Sequence, residues 1–311
     1  MKWSSLEETF EFSCIHCTLH SLFLKGEGPI LEYADYILQD DFFNRIEITH
    51  IADKLVRREF THRARICRVN RSYLMQPVIF GKKLNPHSQL LEERKRSLHE
   101  MNLCLEEAAE IEADTVLFCS GPNDSEDEKV VTQAYVDLIE ALSERASVLG
   151  LKLLLEPFDD RVDKKRWIGS NERLKLLMEE TKHIPNFSLV AELSHFPLLH
   201  ETVASMMEEI GNHLGHVHIG NCVLTQSDAR YGDSHPYFGY PQGCNDVNEV
   251  ADFFYSLTKV GYLGADRAGS VGIEIIPQQD ERIVDVLMNA KRTVRKAWIN
   301  AKHRLNSEGI V

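Results

Sequence analysis

Short apolar runs alternate with amphipathic stretches eight times along this 311-residue chain, and that alternation narrows the fold more than any other property of the sequence. Apolar runs bounded by turn residues read as buried strands. Strands separated by helix-length segments pair in parallel, with the helices packed outside. The runs fall at residues 10–17, 45–51, 73–80, 114–119, 151–156, 187–195, 214–221 and 270–277. The third is the weakest, because Pro77 cannot donate to a strand ladder. Between the runs lie helical stripes such as Leu91, Leu98, Met101, Leu105 and Ala108, or Val131, Tyr135, Leu138 and Leu142, the latter ended by Gly150. Ser170 is placed to cap a further helix, and a last one over 281–304 carries a basic face read as solvated surface. No Gly-rich dinucleotide fingerprint interrupts the pattern. Eight such units predict the α/β class and a closed (β/α)8 TIM barrel, one domain over residues 1–311 with a C-terminal helix.

Composition excludes several partners. A formal net charge of -13 argues against a nucleic-acid backbone, which needs a basic surface. The acidic start, MKWSSLEETFE, lacks an apolar signal core, and no apolar run is long enough to cross a bilayer. The seven cysteines (Cys14, Cys17, Cys67, Cys104, Cys119, Cys222 and Cys244) read as reduced thiols rather than a disulfide framework. The expectation is a cytoplasmic protein, oligomeric, without nucleic-acid or membrane partners, acting on a small molecule.

Four of the strands deliver metal-type ligands near their ends: Glu156 in LKLLLEPFDD, Glu192 and His195 in FSLVAELSH, His216 and His218 in LGHVHIGN, and Glu274 in SVGIEIIP. A carboxylate buried without compensation is too costly inside a strand, but not where the sheet opens into a cleft. In a barrel that place is the C-terminal rim. Glu156, Glu192, His218 and Glu274 together form a mixed oxygen and nitrogen set suited to one divalent ion, Mn²⁺ first, with Mg²⁺, Co²⁺, Fe²⁺ or Zn²⁺ as alternatives. Three carboxylates leave such an ion electrophilic enough for a carbonyl or hydroxyl oxygen. A proton on the neighbouring carbon then becomes acidic, with Glu156 and Glu274 as base and acid. His218 is nearer its strand's end than His216, so His218 is the expected ligand and His216 a supporting or substrate contact. His195 is expected to touch substrate. Glu47 and His50 divide evenly between structural and functional readings, and His16, His87 and His99 default to core or surface. The loop over 222–245, which contains DSHPYFGYPQG, is too rich in Gly and Pro for regular structure and is placed to close over a substrate.

At these residues the chain resembles the xylose-isomerase-like barrel superfamily of sugar (phosphate) isomerases and epimerases. The resemblance rests on the E-P of Glu156, the E-x-x-H of Glu192 and His195, the G-H-V-H of His216 and His218, and the I-E-I of Glu274. It implies Glu156, Glu192, His218 and Glu274 as metal ligands and His195 on the substrate. Glu192 stands where the family usually has Asp. FDDRVD follows Glu156 where the epimerases carry Asn, Arg and Glu, which leaves Arg161 and Asp163 as counterparts for substrate. The segment GDSHPYFGYPQG is also similar to the D-x-H segment of metal-dependent apurinic endonucleases, which implies Asp233, His235 and His195 as further ligands or substrate contacts. Those enzymes also need a histidine after strand four, where this chain has Cys119 and Ser120. The same loop, running into NDVNEV, resembles the barrel subunits of bacterial C-glycoside deglycosidases, which act on 3-oxo C-glucosides by elimination and work with a small β-rich second subunit. The expected function is a metal-dependent carbohydrate enzyme that removes a proton alpha to a carbonyl, giving isomerisation, epimerisation or β-elimination. The alternatives are a non-catalytic or partner-dependent barrel subunit and an apurinic endonuclease-like phosphodiesterase.

Overall fold

The computed structural model describes residues 6–124, 127–263 and 269–310; residues 1–5 of the acidic start lie outside the described residues. Eight strands, β1 (Phe10–Ile15), β2 (Arg45–Ile48), β3 (Asn70–Leu74), β4 (Thr115–Phe118), β5 (Lys152–Leu155), β6 (Phe187–Glu192), β7 (Leu214–Ile219) and β8 (Gly269–Ile273), close into one barrel in sequence order. All neighbouring pairs are parallel, and β1 closes the ring against β8. The strands are buried almost throughout, because helices cover them outside and their own side chains fill the interior.

The outer helices follow from their caps and stripes. Asp53 accepts from the backbone N–H groups of Leu55 and Val56 and starts helix Lys54–Cys67. Asp246 and Glu249 form a capping box at the start of Val247–Lys259. The final helix, Ile283–Ser307, seals the barrel: Trp298 lies edge-on to Phe10 of β1 at 4.8 Å and meets Phe254 of the preceding helix. Its basic face is not all solvated, since Lys291 is buried against Asp40.

The third strand departs from the sequence reading. It covers Asn70–Leu74, and residues expected to continue it form helix Gln76–Gly81 instead. Pro77 explains the difference: it sits in the first turn of that helix, where a missing N–H costs nothing. The helix after β6 is also split, into His195–Leu198 and Val203–Ile210.

Two cavities of similar size lie at opposite mouths of the barrel, about 490 Å³ at the C-terminal ends of the strands and about 480 Å³ at the N-terminal ends. The N-terminal one is lined by Arg45, Glu11 and Asp114, and both acids already pair with Arg45. The C-terminal one holds the groups discussed next. Among the described residues no helix is long and apolar enough to cross a membrane.

Candidate metal centre

The four expected ligands arrive on four consecutive barrel units. Glu156 follows β5, with its N–H still donating to Phe118 O of β4, and Pro157 then ends the ladder. Glu192 is the last residue of β6 and stands beside His218 of β7 in register. Glu274 follows β8 directly, its N–H donating to Ile219 O. Ligand atoms of Glu156, Glu192, His218 and Glu274 all lie within 4.8 Å of one another. His218 Nδ1 faces Glu156 Oε1 at 3.5 Å, Glu192 Oε2 at 3.6 Å and Glu274 Oε2 at 3.8 Å. These separations exceed hydrogen-bond lengths, and both His218 Nδ1 and Glu192 Oε2 are buried without a hydrogen-bond partner. Buried polar atoms are almost always satisfied, so this gap fits a cation.

Charge supports the same fit. Burial, helped by the neighbouring Glu192 and Glu156, pushes the Glu274 carboxyl up to about 7 against the opposing pull of His235. Burial opposes a charged His218, yet the carboxylates of Glu47 and Glu156 hold it well above the ordinary histidine range. Three acids around one point cannot all ionise freely without added positive charge.

The supporting residues come from the barrel interior. His218 Nε2 lies 3.0 Å from Glu47 Oε2, which fixes the ring with Nδ1 toward the carboxylates. Glu47 is fully buried; it also accepts from Ser13 Oγ at 2.5 Å and lies 3.1 Å from His216 Nε2. His216 Nδ1 in turn meets Ser270 Oγ at 2.8 Å. The expectation of a substrate contact for His216 is therefore corrected: the strand alternation points it inward, but one layer below the cavity, against Glu47 and Ser270. Gly272 of β8 makes this arrangement possible. A Cβ there would lie 2.4 Å from Glu47 Oε1 and 2.6 Å from His218 Cδ2.

A second cluster sits beside the first. His195, Asp233 and His235 bring ligand atoms within 4.8 Å of one another. His195 Nδ1 donates to Pro157 O at 2.8 Å, leaving Nε2 3.3 Å from Asp233 Oδ2. His235 Nε2 lies 3.0 Å from Asp233 Oδ1 and 3.4 Å from Glu274 Oε1, so Glu274 touches both clusters. Lys164 Nζ is 3.4 Å from Asp233 Oδ2 and 2.8 Å from Asp163 Oδ2. This cluster sets one carboxylate against two imidazoles and an ammonium. Burial opposes charge on the histidines, but Asp233 raises His195 to about 10 and His235 to about 9. The positive charge around Asp233 comes from the chain itself, unlike that needed in the first cluster.

The loops explain which cations reach the cavity. Asp159, fully buried, accepts backbone N–H groups from Arg161, Val162, Asp163 and Lys164, winding the chain around its carboxylate. The winding sends Lys164 to the cavity wall and Arg161 outward. The expected substrate role for Arg161 is corrected accordingly: its side chain is 82% exposed, pairs with Asp160 and is not among the residues lining the cavity. Asp163 accepts from Asp233 N and docks one loop on the other rather than lining the cavity. The long loop after β7 is pinned at both ends, because Asn221 Oδ1 accepts from the N–H groups of Cys222 and Asn245. Its Asp233 and His235 are already at the site.

Sequence reasoning missed Gln76. Its Nε2 donates to Glu156 Oε2 at 2.6 Å, and it lines the cavity. Glu47 had a sign in its inward parity, but nothing local showed its partner. His50 lies elsewhere, paired with Glu107. His16 and His87 are buried in the core; His99 is exposed.

A family model for the xylose isomerase-like TIM barrel matches residues 30–290. No curated protein sequence matches the chain. Solved structures share the fold. A D-tagatose 3-epimerase-like protein is 18% identical, with a TM-score of 0.71, covering 95% of this chain and 100% of that one. The D-psicose 3-epimerase of Clostridium cellulolyticum H10 is 13% identical, with a TM-score of 0.66, covering 94% and 99%. The 3-keto-D-glucoside 4-epimerase of E. coli is 14% identical, with a TM-score of 0.65, covering 91% and 98%.

Proposed function

The chain belongs to the xylose isomerase-like TIM barrel family, and from that premise we propose that it is a metal-dependent carbohydrate enzyme. It removes and returns a proton beside the carbonyl of a sugar or oxo-sugar. The observation that carries this reading is the convergence of Glu156, Glu192, His218 and Glu274 within 4.8 Å at the C-terminal rim. The similarity to a D-tagatose 3-epimerase-like protein and to a 3-keto-D-glucoside 4-epimerase supports it.

A divalent ion held by these four side chains would supply positive charge to a substrate carbonyl oxygen. The other tasks belong to the chain. Glu156 is kept ionised: burial opposes its charge, but His218 lowers its pKa and the Gln76 amide donates to Oε2. It is the base. Glu274, raised by burial and partly open to the cavity, is the acid that returns the proton. His195, His235 and Lys164 would hold substrate hydroxyls. With a leaving group on the carbon beyond the deprotonated one, the same first step ends in β-elimination rather than isomerisation.

The second cluster alone favours an endonuclease-like reading, but Lys164 already balances the charge of Asp233 without a further ion, and the formal net charge of -13 weighs against a phosphate backbone.

The test is to load the protein with Mn²⁺, then Mg²⁺, Co²⁺, Fe²⁺ or Zn²⁺, and incubate it in D2O with free ketoses and with 3-oxo glucosides. Deuterium should enter the carbon beside the carbonyl. Glu156→Gln and Glu274→Gln should each slow the exchange by about 10²–10⁴-fold. Absence of exchange in both substrate classes would end the proposal.

A further inference from the structure

Two of the seven cysteines face each other across the neck of the long loop after β7. Cys222 stands where the loop leaves the barrel and Cys244 where it returns. Val223 and Gly243 form an antiparallel bridge, and one step closer to the barrel the Cys244 N–H donates to Cys222 O at 2.9 Å. Residues opposed in this way have Cα atoms about 5.5 Å apart, inside the range that a disulfide spans. The side chains meet as well: the Cys222 thiol donates to the Cys244 sulfur, and the Leu224 N–H bonds the same sulfur. Asn221 holds the two arms together, since its Oδ1 accepts from both Cys222 N and Asn245 N.

The two thiols differ as an attacking and a resolving cysteine do. Cys244 is half-buried, and the hydrogen bonds from Cys222 and Leu224 hold it below the ordinary thiol range against its burial. The thiolate is the reactive form, so Cys244 is both activated and within reach of a small molecule. Cys222 is fully buried, and donating to Cys244 raises it well above the ordinary range. Burial also pushes Cys104 and Cys119 up to about 12, and raises Cys14 and Cys17. Cys67 is exposed at the end of helix Lys54–Cys67.

We propose that Cys222 and Cys244 are an oxidative modification site that reacts with a hydroperoxide and closes to a reversible disulfide across the loop neck. The Cys244 sulfur attacks one peroxide oxygen and the O–O bond breaks. The sulfur becomes a sulfenic acid, and the other oxygen takes a proton and leaves as an alcohol or water. The Cys222 sulfur then attacks the sulfenic sulfur. The S–O bond breaks, the S–S bond forms, and the hydroxyl leaves as water with the Cys222 proton. The two thiols lose two electrons and the peroxide gains them. The bond fastens the loop that brings Asp233 and His235 to the cavity. It needs no metal ion and is independent of the proposed proton transfer.

The experiment treats the reduced chain with a small molar excess of hydrogen peroxide and reads the intact mass and the tryptic map. The product should have lost two hydrogens, carry a Cys222–Cys244 cross-link and return to the starting mass with dithiothreitol. Its melting temperature should exceed that of the reduced chain, because a cross-link restricts the unfolded state. In Cys222→Ser dimedone should trap a sulfenic acid at Cys244, and the rise in melting temperature should be absent. In Cys244→Ser, Cys222 should stay a thiol; this substitution at a half-buried position keeps the test valid if Cys222→Ser disturbs folding. No cross-link at a peroxide excess that already oxidises Cys67, a cross-link between other cysteines, or oxidation of Cys222 in Cys244→Ser would overturn the proposal. An unchanged melting temperature in the cross-linked protein would overturn the fastening of the loop.

Discussion

Glu47 shows how much of this site is decided by residues that never reach the cavity. It sits on β2, yet its carboxylate fixes the ring of His218 across the barrel interior at 3.0 Å. Glu47→Gln keeps the size but removes the charge that holds the His218 N–H. Mn²⁺ affinity should fall by about 10–100-fold, as losses of such supporting carboxylates do. A calorimetric Mn²⁺ titration checks it, and an unchanged affinity would show that Glu47 only fills space. Two buried histidines make a different prediction. Burial lowers His16 and His87 to about 4 each, so both are neutral in the folded chain. Their unfolded value is about 6.5, so below that pH the unfolded chain binds more protons. Their contribution is complete above about pH 6.5 and is lost as pH falls toward 4, by at most ~3 kcal/mol per histidine. Urea midpoints should drop between pH 7 and pH 5, and His87→Phe, which replaces a ring packed on Tyr135 and Trp167, should flatten the drop.

At the scale of elements, β8 carries the strictest demand. Gly272 lies beside His218 in register, and its missing side chain is the space through which Glu47 reaches the imidazole. Gly272→Ala would place Cβ inside the contact distance of two buried polar groups. It should cost about 1–3 kcal/mol, as overpacking does, and weaken Mn²⁺ binding as well. A urea titration read with metal affinity separates the two effects; stability and affinity both at the wild-type level would contradict the packing argument. The loops divide into those readable from sequence and those not. Gly and Pro marked the long segment after β7 as irregular, and Asp233 and His235 stood out as ligand types. The loop after β5 hid its logic, because Asp159 gathers four N–H groups and so exchanges Arg161 for Lys164 at the cavity. Pro77 misled for a related reason. The same residue that weakens a strand starts a helix well, and local sequence does not choose between them.

For the whole molecule, the ion is the testable unit. A ligand that binds only the folded barrel stabilises it by about 2.7 kcal/mol at a hundred times its Kd. Mn²⁺ should therefore raise the melting temperature, and a chelator should reverse the rise. Glu192→Gln should leave the barrel folded and lose most of the shift; a full shift in that variant would place the ion elsewhere. The closed eight-stranded barrel was legible from the sequence because its signal is local: each strand and helix announces itself by periodicity and turn residues. So was the placing of Glu156, Glu192, His218 and Glu274 at the rim, since a carboxylate at the end of an apolar run needs a cleft to be tolerated there.

The chain by itself determined the alternation, the barrel and the residue types at its rim, because those depend on neighbours a few positions away. The tertiary structure alone decided that Glu47 orients His218, that Gln76 holds Glu156, and that His216 lies beneath the cavity. Each of these joins strands far apart in sequence, and barrel closure and register bring them together.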